Sequence, residues 1–298
     1  MVVAILLPSW ISTSLFVHHL ETTVAIFNTL YTEEEGRKSM HWMKYSLQDH
    51  FTIFLPFVIM NVVSVYMTDF DSDPNKIFYF YSLFADLARD NQHAHMVLNF
   101  FDKFLLLNAI SIYNISDFMM LSFFSRIFAS IDFEICTMRR KGLVSLIEVE
   151  AATKMCRRLQ IMIQLFNQNF AYITFITKVV CIYGTIVCFY FSIKILPVDV
   201  VLATSNLILA LDGVGAYILF FDRAFGIPGK MQELKTAILI ASTKLPPMAG
   251  EAYRKRELQS IPSLGIKVGD FHNFERESTP NFVDFVTRNI IGLLLSFG

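Results

Sequence analysis

Long apolar runs separated by charged stretches set the pattern of this chain. Residues 1–20 carry no formally charged side chain, and after Glu21 the apolar run resumes as far as Tyr31, which predicts one long helix. A polar stretch at 32–50 leads into 51–68, a charge-free run of the length needed to cross about 30 Å of hydrocarbon. An acidic connection with Asp69, Asp71, Asp73, Asp86 and Asp90 follows, and then an apolar run at 104–128 that holds one acid, Asp117. Residues 129–159 mix charge with apolar residues at helical spacing, so the helix is expected to continue beyond the bilayer. The run at 159–193 is apolar apart from Lys178 and is long enough both to cross a membrane and to project from it. Past a turn at Pro197, residues 200–221 carry Asp212 and a Gly213-Val214-Gly215 step suited to close helix packing. A second basic loop then leads to a last apolar helix after Pro280.

Helix is favoured over strand throughout, because a membrane strand requires alternating segments of about ten residues in a closed barrel and no such alternation occurs. The expected fold class is therefore all-α, a polytopic transmembrane bundle with about six spans and no internal repeat. Composition agrees. Hydrophobic residues make up 54% and charged residues 17%, mean hydropathy is +0.48, and thirty Phe with eleven Tyr enlarge the apolar surface. A soluble domain of this size has no means to bury so much apolar area while showing so little charge to water.

Charge placement adds a direction. Arg139, Arg140, Lys141, Lys154, Arg157 and Arg158 form one basic connection, and Arg223, Lys230, Lys235, Lys244, Arg254, Lys255, Arg256 and Lys267 form the other. In an alternating topology the two share a side, and retained Lys and Arg mark that side as cytoplasmic. The first and last residues then lie outside and 32–50 inside, the arrangement a seven-span protein would show if an earlier helix preceded this segment. The opening MVVAILLP lacks the basic residues of a secretory signal, so a membrane helix is expected there. A net charge of -1 and a pI near 6.7 exclude the basic footprint of a nucleic-acid binder.

The carboxyl-terminal half, roughly residues 155–297, carries two recognisable stretches. In RRLQIMIQLFNQNFAYITFITKVVCIYGTIVCFYF, Asn167 or Asn169 stands at the start of a long span with a Tyr near its outer end. In SIPSLGIKVGDFHNFERESTPNFVDFVTRNIIGLLLSF, Pro262, Gly269 and Phe271 precede the final helix. Together these resemble the insect gustatory and odorant receptor superfamily, as a divergent arthropod member. That family ends on Thr-Tyr, five apolar residues and Gln-Phe; this chain has Asn289 and Ile290, then IGLLL, then Ser296 and Phe297, so the spacing is kept and only Phe297 matches outright. The resemblance implies a plasma-membrane receptor subunit of inverted topology, a ligand-gated non-selective cation channel assembled as a homo- or hetero-tetramer. Residues 1–158 would supply the outer-facing ligand-binding spans and 159–298 the family-like half with the pore helix. Taste is the expected modality, with an odorant receptor of the same superfamily, an unrelated multi-span transporter or a G-protein-coupled receptor as alternatives.

Candidate chemistry follows from position. Asp284 and Arg288, four apart, share a face at the start of the last helix and read either as charges at a pore mouth or as an interfacial ion pair. Ile291, Leu294 and Leu295 continue the candidate pore lining. The aromatic run FYFYSLF at 78–84 offers Phe78, Tyr79, Tyr81 and Phe84, with Tyr113, as candidates for a small apolar ligand pocket or an interfacial belt. Asp117, Lys178 and Asp212 are ionisable residues inside apolar runs, where a partner is expected, and Lys178 with Asp212 is the pairing the sequence suggests. His93 and His95 form an H-x-H without an apparent third ligand, so no metal is expected, and the Asn114-Ile115-Ser116 sequon falls inside a span. Four dispersed cysteines read as packing residues. No GxSxG, HExxH, P-loop or complete GxGxxG occurs, so neither enzymatic activity nor a cofactor is expected.

Overall fold

The computed structural model describes residues 20–32, 91–140, 145–244, 251–262, 264–270, 272–273 and 278–297, with isolated positions at 18, 50, 54, 64, 67, 68, 81 and 84. Most of the first two expected spans lies outside these residues. Within them the chain is almost wholly helical: α1 (Leu20–Thr32), α2 (Gln92–Arg140), α3 (Leu146–Ile195), α4 (Val200–Thr243), α5 (Glu251–Ser260) and α6 (Ser278–Phe297). A short antiparallel hairpin, β1 (Lys267–Val268) with β2 (His272–Asn273), pairs Lys267 with Asn273 and Val268 with His272 between α5 and α6.

Two of these helices revise the sequence reading. The expected continuous helix over 129–159 is broken, with α2 stopping at Arg140 and α3 starting at Leu146. Ser145 accepts the Glu148 backbone N–H while the Glu148 carboxylate accepts that of Ser145, a capping box that fixes where α3 begins. Conversely, the chain after 221 is no loop at its outset. Helix α4 runs on through Pro228 to Thr243, because Phe221, Ala224, Ile227, Met231, Leu234 and Ile238 keep a buried face at helical spacing. Asp199 caps the start of α4 by accepting from the Leu202 N–H at 3.0 Å.

Helices α2 and α4 run parallel and pack directly on each other, and α3 runs antiparallel to both, chiefly against α4. Lys230 meets Asp132 at 2.6 Å, Arg139 meets Glu233 at 2.7 Å, and Arg223 donates to the Ser125 hydroxyl, so successive positions on α2 meet successive positions on α4. Hydrogen bonding to Asp132 holds the Lys230 ammonium above its ordinary value of 10.5, partial burial acting in the opposite direction. On α3, Phe166 stacks on Phe123 at 4.0 Å and on Phe170 at 4.8 Å, with Phe124 edge-on at 5.4 Å.

Along its length the bundle divides into two halves. In the charged half (120–140, 146–172 and 221–243) the buried side chains are large and apolar, among them Phe123, Ile127, Ile131, Leu159, Ile163, Phe166 and Leu234. Cys156 belongs to this core, and burial pushes its thiol up to about 11. In the apolar half (92–119, 173–195 and 200–220) small and polar side chains share the interior with Ile173, Ile186 and Tyr217. Thr174, Thr177, Thr185, Cys188 and Ser192 of α3 and Ala203, Asn206 and Ala210 of α4 are buried, whereas Phe100, Phe104, Phe118, Val179, Tyr183, Phe191, Ile208 and Leu211 are exposed. Helix α3 is long and apolar enough to cross a membrane, with a mean hydropathy of 1.8 over its most apolar window, and Val200–Gly215 of α4 is a shorter apolar stretch.

Candidate functional site

Helix α6 has two faces. Phe282 and Val286 are buried, Phe282 stacking on Tyr217 of α4 at 3.8 Å, and Ile290 and Leu293 pack partly buried against the same core. The opposite strip holds Asp284, Arg288, Ile291 and Leu295, spaced to lie one above another, and all four are exposed. Leu294 sits half-buried at its margin. Arg288 donates through Nε to the Asp284 carboxylate at 2.9 Å, an exposed pair of the kind worth only a few tenths of a kcal/mol.

The start of α6 is held through the hairpin. Asn167 is buried on α3, and its amide N–H donates to the Gly265 carbonyl while its amide oxygen accepts from the Lys267 N–H, both at 2.8 Å. One turn farther along α3, the Ala171 carbonyl accepts from Gly269 at 2.8 Å, and the Tyr172 hydroxyl donates to Asp270. Gly269 adopts φ 60, a left-handed conformation that a side chain would strain. Ile266 and Val268 are fully buried, and Lys235 donates to the Ile261 carbonyl at 2.6 Å. The two stretches that carry the family resemblance thus touch each other through Asn167, 98 positions from Gly265. Asn169, the other candidate, is also buried but leaves its amide nitrogen without a hydrogen-bond partner.

Within the apolar half, α3 and α4 meet along the small-residue seam. A Cβ added at Gly213 would come within 2.5 Å of Thr185 Oγ1, so the sequence step at Gly213 does permit close packing. Two acids lie in the same half, Asp212 next to Gly213 in sequence and Asp117 on α2 near Thr177 and within electrostatic range of Asp212. The suggested Lys178–Asp212 pairing is not formed; no basic side chain of the described residues acts electrostatically on Asp212. Lys178 is half-buried on α3.

The aromatic candidates are only partly brought together. Phe78 and Tyr79 lie outside the described residues. Tyr81 is buried, its backbone N–H donating to Asp102 at 2.6 Å and its ring edge-on to His95 at 5.4 Å, whereas Phe84 is exposed. Tyr113 lies on α2 about 16 Å beyond Asp102 along the helix axis, away from Tyr81. His93 and His95 stand in the first turn of α2, where a two-residue step points them to different sides. The sequon also falls within α2, with Ser116 buried. A cavity of about 350 Å³ opens instead in the charged half, between Ala25 and Ile26 of α1 and Lys154, Arg157, Ile161 and Leu165 of α3.

Sequence reasoning missed three of these features. The capping box was legible as Ser145-Leu146-Ile147-Glu148. The seam was legible as Thr, Cys and Ser recurring at three- and four-residue steps from Thr174 to Ser192. The placing of Asp117 within electrostatic range of Asp212 had no local signal, since it depends on the registry of two helices. No family model matches this chain, and no curated protein matches it.

Proposed function

We propose that the chain is a chemosensory receptor subunit, gustatory-receptor-like, that spans the plasma membrane several times and contributes α6 to a ligand-gated, non-selective cation pore. The observation that carries this reading is the exposed strip of α6 from Asp284 to Leu295, on a helix whose other face is anchored by Tyr217 and the hairpin. In a homo- or hetero-tetramer four such strips would face one another, with the Asp284–Arg288 pairs at the inner mouth and Ile291 and Leu295 along the conduit. The membrane setting is supported by the apolar half, where many large apolar side chains point outward and the α3–α4 seam is built of small and polar ones, as suits helices packed in lipid. Its boundary coincides with the change in charge, so the charged half is the cytoplasmic part and the last residue lies outside.

A small apolar or amphipathic ligand among the outer spans would bias α6 through its contacts with α3 and α4. Two measurements test this. A carboxyl-terminal epitope tag should stain on intact cells, and staining only after permeabilisation would exclude the orientation and favour a G-protein-coupled receptor topology. Ligand-evoked cation current in a heterologous cell should be abolished by Leu294→Asp, and an unchanged current would remove α6 from the pore.

A further inference from the structure

We infer that the cavity between α1 and α3 binds one anionic phospholipid of the inner leaflet, its headgroup on Lys154, Arg157 and Arg158 and the start of an acyl chain along Ile161 and Leu165. The site rests on the membrane reading above and not on the pore. The cavity holds about 350 Å³, and α1 closes it through Ile26 while α3 supplies the other five residues. On α3 these recur at three- and four-residue steps, so they form one stripe about 16 Å long. The stripe is sorted by chemistry: its charge lies at the 154–158 end and its apolar residues at the 161–165 end. Among the described residues no acid lines the wall. Arg157 meets Glu257 of α5 at 3.6 Å, and Glu21 and Glu150 stand outside the wall, which itself keeps a positive excess.

That order follows the direction of the helix. Arg158 is the last charged residue of α3 before Lys178, so the basic end faces the charged half and the apolar end leads into the uncharged stretch 159–177. An anionic lipid of the inner leaflet has the same order, with its phosphate toward the cytoplasm and its hydrocarbon toward the bilayer, and basic pockets at that depth suit such headgroups. Guanidinium forks and an ammonium match phosphate oxygens directly. A soluble anion would engage the basic end and leave Ile161, 48% exposed, uncovered, whereas an uncharged lipid would engage the apolar end alone. The volume lies within the roughly 300–1,000 Å³ of small-ligand sites, enough for a headgroup and the first methylenes of one chain, with the remaining hydrocarbon in the bilayer.

Native mass spectrometry of the full chain in nonionic detergent, given equal amounts of phosphatidylserine and phosphatidylcholine, reads the site directly. One phosphatidylserine should be retained per chain, preferred by roughly tenfold. Arg157→Gln with Arg158→Gln should abolish the preference, whereas Arg139→Gln with Arg140→Gln, an equal loss of charge on α2, should leave it intact. Ile161→Gln should weaken retention several-fold with all three cations still present. Equal retention of the two lipids would overturn the site. Equal loss in the two double variants would reduce it to general surface charge and overturn it as well. Glycerophosphoserine, the soluble headgroup, should compete weakly; competition as strong as that of the lipid would make the ligand a soluble anion and overturn the lipid assignment. Retention of the chain in membranes washed with alkaline carbonate reads the membrane setting separately, so a retained chain without lipid preference loses this site alone, and a chain released by the wash loses the membrane reading.

Discussion

The charged half buries Phe123, Phe166 and Leu159 and turns Arg139, Glu150 and Arg157 outward, whereas the apolar half buries Thr185, Ser192 and Ala203 and turns Phe118, Tyr183 and Leu211 outward. The same three helices run through both halves, so the difference cannot come from topology. On the membrane reading proposed above, it marks a change of solvent. Where water surrounds a helix, large apolar side chains gain by leaving it. Where hydrocarbon surrounds it, that gain vanishes and helices associate through small residues and close backbone approach. The two halves should therefore respond to mutation by different rules.

The largest effect is expected from Phe166→Ala, which empties the centre of the stacked aromatic core and should cost about 3–5 kcal/mol in denaturant titrations in micelles. Tyr183→Ala, in the apolar half, should change the same measurement little. Next comes Asn167→Ala. It strands the Gly265 carbonyl and the Lys267 N–H and should cost about 2–3 kcal/mol, with proteolysis near the hairpin rising first. Gly213→Ala should cost about 1–3 kcal/mol by driving a methyl into Thr185, and Thr185→Ala should recover most of that in a double-mutant cycle. Independent costs would show that the seam is loosely packed.

The smallest effect belongs to the exposed ladder of the charged half. Asp132→Asn should cost about 0.5 kcal/mol, and less at high salt. Its pH dependence has a definite sign. Since the folded state raises the Lys230 value above 10.5, the contribution is full at neutral pH and is lost as pH climbs through and beyond that value. A stability limb above pH 10.5 that is shallower in Asp132→Asn than in wild type would display it.

Much of this architecture was legible in the chain. Hydropathy located the cores of α2, α3 and α6 because one solvent acts on each run, and the Gly213 step announced a close contact that the structure places against Thr185. The extent of the helices was not legible from charge alone. By charge Lys230 and Lys235 look like loop residues, yet they lie half-buried on a helix whose inner side is Met231, Leu234 and Ile238. At the candidate site, spacing put Asp284 and Arg288 on one face; Ile291 and Leu295 share it, whereas Leu294, expected with them, lies at its margin. Pairing across helices was beyond spacing: Asp212 lies within electrostatic range of Asp117, far away in sequence, and forms no ion pair with Lys178.

Two well-exposed residues offer the most direct test of the change of solvent. Ile147 in the charged half is 77% exposed and Tyr183 in the apolar half is 63% exposed. Each is replaced by Cys in a background lacking the four native cysteines, and membranes opened to expose both faces are treated with a charged, water-soluble maleimide. Rapid labelling at 147 with protection at 183, relieved only by detergent, is the predicted result; equal labelling at both positions in intact bilayers would contradict it.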